Sequence, residues 1–104
     1  MTNEYENTQF IIDLQSKDNI NRNYNLGWYN LIISIRDLRL YSKGIKSHRR
    51  WKITPLKIYF GIKGNAKSML DKLRKIKQTI KERGYKQIDL NTRSLELIVE
   101  GRYK

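Results

Sequence analysis

The stretch NAKSMLDKLRKIKQTIKERG, Asn65 to Gly84, limits the fold of this chain more than any other. Met69, Leu70, Leu73, Ile76 and Ile80 recur at intervals of three and four, so a helix of this sequence carries one apolar stripe that has to be buried. Asn65 suits the N-cap and Gly84 suits the stop, and together they predict a helix over about 66–83. The remaining faces carry Lys67, Lys72, Arg74, Lys75, Lys77, Lys81 and Arg83. A chain of 104 residues has one modest core with which to cover such an element.

The covering elements are harder to read. QFIIDLQ offers a short apolar run at Phe10, Ile11, Ile12 and Leu14 and is expected to be a strand. The Asn- and Asp-rich SKDNINRNYN is expected to be a long loop over 16–26, because those side chains compete for backbone hydrogen bonds. GWYNLIISIRDLRLYSKG fits both periods. Ser34 followed by Asp37 resembles an N-cap pair, which places a strand at about 28–33 and a short helix at about 35–43, stopped by Gly44. In KITPLKIYFGIKGN, Leu56, Ile58, Phe60 and Ile62 alternate as in a strand. Thr54 and Pro55 favour a helix start, and the reading leans to a short helix with strand as the alternative. QIDL and LELIV read as two short strands around NTRS. The fold expected is α+β: residues 1–26 a partly ordered arm, then one basic globular domain over 27–104. That domain would hold the long basic helix, one or two short helices and a few short strands. The alternative is a winged-helix-like arrangement.

Charge is distributed unevenly. Residues 27–85 hold sixteen bases against three acids, whereas the first 26 residues carry a small excess of acids, and the whole chain has a net charge of +12. A segment with this excess repels itself when compact, so an anionic partner is expected, nucleic acid first. The chain has no cysteine and one histidine, which excludes disulfides, thiolate zinc sites and imidazole clusters. No apolar run approaches membrane-spanning length. The N-terminus has Glu4 and Glu6 and no basic block followed by an apolar one, so the protein is expected to be soluble, not secreted, and to work where it is made, the cytoplasm or its equivalent.

Two constellations point to a polyanion. The first is a helix, a brief turn and a long basic helix from Thr54 to Arg83, a pairing in which one helix braces on phosphates while the next reaches a groove. Within it, LKIYFGIKGNAKSMLDKL resembles the helix, extended turn and helix of SAP-type DNA-binding modules. The likeness runs through Leu56, Lys57, Gly61, Ile62, Gly64, Lys67 and Leu70, with Leu73 one position early. The second is SHRRWKITP, where Arg49 and Arg50 can donate forked hydrogen bonds to phosphates and Lys52 adds charge. Trp51 is either a stacking surface for a base or a core-edge residue, and His48 reads as a plain loop residue. Arg36, Arg39, Lys43 and Lys46 would widen the positive field.

No catalytic set is expected. The best available set for a metal-dependent nuclease is the acids Asp89 and Glu100 with Arg102, and its spacing is loose. No metal or cofactor is expected either. The function expected is a small, non-catalytic nucleic-acid-binding protein, a regulator or accessory factor of transcription or translation that engages DNA or RNA. Its site would comprise Arg49, Arg50, Trp51, Lys52, Lys67, Arg74, Lys75 and Lys81. The alternatives are an adaptor or inhibitor docking on an acidic protein, or a subunit of a large ribonucleoprotein particle.

Overall fold

The helix foreseen at 66–83 is one of six helical elements in the computed structural model, which describes residues 8–84 and 92–101. They are α1 (Gln9–Leu14), the single turn α2 (Asn19–Arg22), α3 (Leu26–Ser42), α4 (Thr54–Phe60), α5 (Ala66–Arg83) and α6 (Thr92–Val99). Among the described residues there is no strand. The α+β expectation is therefore corrected to an all-helical fold.

Each expected strand within the described residues fails for a local reason. At the N-terminus, Thr8 caps α1, its Oγ1 accepting from the Ile11 amide at 3.4 Å. Phe10, Ile11 and Leu14 then fall on one face, and all three are buried. The segment read as the end of an arm thus supplies core side chains. In the centre, the cap lies at Asn25, whose Oδ1 accepts from the Trp28 amide at 3.0 Å, and helix runs from there without a break to Ser42. Ser34 and Asp37, read as a capping pair, sit instead on the buried side of the helix interior. Gly44 does act as the stop: at φ 82 it lets the amides of Gly44 and Ile45 return to the carbonyls of Tyr41 and Leu40, both at 2.9 Å. At the C-terminus, Leu95, Ile98 and Val99 share one face of α6, which packs against α5. Strand alternation would have turned Ile98 away from the other two. QIDL lies outside the described residues. The winged-helix alternative falls too, since LELIV, half of its wing, is helical.

Around 54–62 the helical reading holds: α4 begins at Thr54 with Pro55 in its first turn. The capping position itself is Ile53, not Thr54. Around α5 the expected devices are in place, with Asn65 Oδ1 accepting from the Ser68 amide at 2.9 Å and Gly84 following Arg83.

Packing centres on α3 against α5, with α6 on α5 and α1 on α3; α4 rests chiefly on α1. Phe10, Leu31, Leu38, Phe60, Met69, Leu73, Ile76 and Ile80 are almost wholly buried. Each contributes about 1.5–3 kcal/mol relative to an exposed side chain. Phe10 and Phe60 meet at 4.7 Å between ring centroids, fixing α4 on α1. Gly27 permits the close approach of α3 to α1, since a Cβ there would stand 2.7 Å from the Leu14 amide nitrogen.

The Asn-rich stretch is built rather than loose. Asn25 is buried and donates from Nδ2 to the Leu14 carbonyl at 2.8 Å while capping α3. Asn19 donates to the carbonyls of Asp13 (2.8 Å) and Leu14 (3.3 Å) and accepts from the Leu26 amide at 3.0 Å. These two side chains close the end of α1 onto the start of α3. Replacing Asn25 by Ala removes a cap and the shorter of the two bonds to the Leu14 carbonyl, so chemical denaturation should show a loss of about 1–2 kcal/mol.

A second polar junction ties three helices. The Tyr59 hydroxyl of α4 donates to Asp13 Oδ2 at 2.6 Å and accepts from Asn30 Nδ2 of α3 at 2.9 Å. Burial, followed by the neighbouring Asp13 carboxylate, pushes the Tyr59 hydroxyl well above the ordinary tyrosine range, partly opposed by the Asn30 bond. The folded state therefore holds this proton where the unfolded chain, titrating near pH ~10, has released it. This contribution is complete below pH ~10 and is lost as pH rises further. Denaturation midpoints of wild type and Tyr59→Phe, compared from pH ~8 to ~11, should show a steeper alkaline fall in wild type.

Candidate nucleic-acid interface

Helical geometry sorts the cations of α5 into distinct faces. Side chains seven apart nearly superpose, drifting by roughly 20°. Lys67, Arg74 and Lys81 accordingly form a line along one flank, in steps of about 10 Å and over about 21 Å in all. All three are exposed, and none has a hydrogen-bond or ion-pair partner among the described residues. The core-facing stripe is the one the sequence foretold: Met69, Leu70, Leu73, Ile76 and Ile80 are buried.

Lys75 stands apart. It lies about 100° round the helix from Arg74, and its Nζ pairs with Asp71 Oδ2 at 3.3 Å. Gln78 and Glu82 are joined on the same outer side at 3.0 Å. That face is a solvated mixture of signs, and an exposed i,i+4 pair of this kind contributes only about 0.2–0.5 kcal/mol. Lys72 is used structurally, donating to the Lys63 carbonyl at 2.6 Å in the turn before α5.

The RRWK cluster is organised by its tryptophan. Trp51 is only 6% exposed and its ring meets Tyr41 at 4.8 Å, with the planes inclined by 45°. Of the two readings of Trp51 the structure places it in the core, leaving no open face on which a base could stack. The Trp51 amide donates to the His48 carbonyl at 3.1 Å, which closes a turn with Arg49 and Arg50 at its two corner positions. Arg49, Arg50 and Lys52 are exposed on either side of the buried ring. The concentration of residue types in SHRRWKITP thus has a simple architecture: an indole pins the α3–α4 loop, and cations flank the pin.

The helix, turn and helix of the SAP-type resemblance are present over α4, 61–65 and α5, with Gly61 and Gly64 both at positive φ. α4 nevertheless leans on α1 more than on α5, so the two helices do not pair as a helix-turn-helix unit does. Of that loose set, Asp89 and Arg102 lie outside the described residues and Glu100 is exposed just after α6. Among the described residues no three His, Asp or Glu side chains converge to hold a metal, and no helix is long and apolar enough to cross a membrane. A groove of about 310 Å³ beside α6 is lined by Lys75, Gln78, Thr79, Ile98 and Gly101.

Sequence reasoning missed the ring pair of Tyr24 and Tyr29, 5.7 Å apart and each about half exposed. Tyr24 precedes α3 and lies five residues from Tyr29, a separation that no helical spacing rule marks as a contact. Comparison of the chain with protein-family models, with curated proteins and with solved structures finds no match.

Proposed function

We propose that this protein is a non-catalytic nucleic-acid-binding module, in which the Lys67–Arg74–Lys81 flank of α5 and the Arg49, Arg50 and Lys52 cations of the α3–α4 loop contact phosphates. The observation that supports this most is the line on α5: three exposed cations in register, without carboxylate partners among the described residues. The acids of α5, Asp71 and Glu82, are engaged by Lys75 and Gln78 on its outer face. The line extends over about 21 Å, the axial length of roughly six base steps at 3.4 Å each. Arginines at turn corners can present forked donors to phosphate oxygens, which suits backbone contact. Backbone contact of this kind carries affinity without base readout. An accessory or packaging-type role fits it better than a sequence-reading one.

The test is direct binding to labelled duplex DNA, single-stranded DNA and structured RNA, using protein freed of copurified nucleic acid. Saturable binding to at least one polymer at low salt supports the reading. Failure to bind all three overturns it.

A further inference from the structure

The outward side of α3 carries a second surface of different chemistry. The helix carries apolar side chains on two sides: Leu31 and Leu38 face the core, while Tyr29, Ile33 and Leu40 lie on the opposite side with Arg36 in the same row. Their spacing of four, three and four is that of a helix-packing seam. Tyr29 is about half exposed, and Ile33 and Leu40, half-buried, are not among the side chains packed against the core of the described residues. Tyr24 extends the row at its N-terminal end through its ring contact with Tyr29. Apolar side chains gathered at a surface beside charged ones are the usual mark of an interaction site.

Charge selects the occupant. Arg36, Arg39 and Lys43 border or interrupt the row, all of them exposed. The one carboxylate of α3, Asp37, is largely buried and holds Arg36 at 3.1 Å, and the Arg36 side chain stays 57% exposed. A second copy of the chain would bring the same cations face to face across a two-fold axis, on a molecule of net charge +12. The phosphate backbone of a nucleic acid offers nothing apolar to match isoleucine and leucine in line. We infer that this face docks an acidic amphipathic helix of another protein, one with apolar residues at three- and four-residue spacing and glutamates or aspartates beside them. Tyr29 to Leu40 spans about 16 Å, enough for three turns of a partner helix. The inference is independent of the nucleic-acid reading, because it uses neither α5 nor the loop cations.

The probe is a synthetic peptide of twenty residues with Leu at the seam positions and Glu beside them. It is compared with a scrambled peptide of identical composition and with a version carrying Lys for Glu. The patterned acidic peptide is expected to bind at least tenfold more tightly than the scramble, and the Lys version not at all. The double substitution I33E/L40E, made outside the core and verified as folded by its melting curve, should abolish peptide binding and leave DNA affinity unchanged. K67Q/R74Q/K81Q should do the reverse. Equal binding of patterned and scrambled peptides would reduce the face to non-specific charge attraction and overturn the inference. So would displacement of the peptide by duplex DNA from the folded triple variant, or a protein dimer in sedimentation that I33E/L40E dissolves.

Discussion

Trp51→Ala should lower the free energy of unfolding by about 3–5 kcal/mol. The indole is buried against Tyr41 of α3, and its removal leaves a cavity in the core. Domains are stable by only about 5–15 kcal/mol in total, so the variant should lose a large share of its margin and melt at a clearly lower temperature. Trp51→Phe keeps an aromatic ring against Tyr41 and should lose far less. The pair of variants separates the two readings of this residue. If the ring is a pin, Trp51→Phe retains nucleic-acid affinity in proportion to its folded fraction; a stacking role would weaken binding in fully folded protein. Urea denaturation alongside binding reads both, and a loss under about 1 kcal/mol for Trp51→Ala would contradict the core placement.

Neutralising the α5 line should have the second large effect. Each phosphate contact contributes roughly 0.9 to the slope of log affinity against log salt, so K67Q/R74Q/K81Q should flatten it by about 2.7. At about 0.1 M salt the same counterion term amounts to roughly a 500-fold loss of affinity for the triple variant. Folding should be undisturbed, because all three side chains are exposed and lack partners among the described residues. Lys75→Gln serves as the control. Its charge is already opposed by Asp71 on another face, and it should cost clearly less affinity than Arg74→Gln. Comparable losses from the two would show that general charge, not the line, governs binding.

What could be read from the sequence was local. The helix of 66–83 announced itself because stripe, cap and stop all lie within twenty residues. The line of Lys67, Arg74 and Lys81 follows from sevenfold spacing alone, and the Asp71–Lys75 pairing that removes Lys75 from it was equally visible as an i,i+4 pair. Elsewhere the alternation of Tyr29, Leu31, Ile33 and Ile35 fitted a strand. Capping by Asn25 and packing of Leu31 and Leu38 on α5 overrode that preference. The Asn-rich stretch looked like a loop because the partners that tie it down, the Leu14 carbonyl for both Asn19 and Asn25 and the Leu26 amide for Asn19, come within reach only when α1 and the start of α3 have docked. The Tyr59 junction joins residues 46 positions apart and carried no local signal. Reading 28–33 as a strand also hid the Tyr29–Ile33–Leu40 row, which forms only on a continuous α3.

In the proposed function the α5 flank and the loop cations together meet a polyanion. The most direct measurement is wild-type affinity for a nucleic acid across a series of salt concentrations. If about five phosphates are engaged, the plot of log affinity against log salt should be linear with a slope near −4 to −5. A slope indistinguishable from zero would contradict the account.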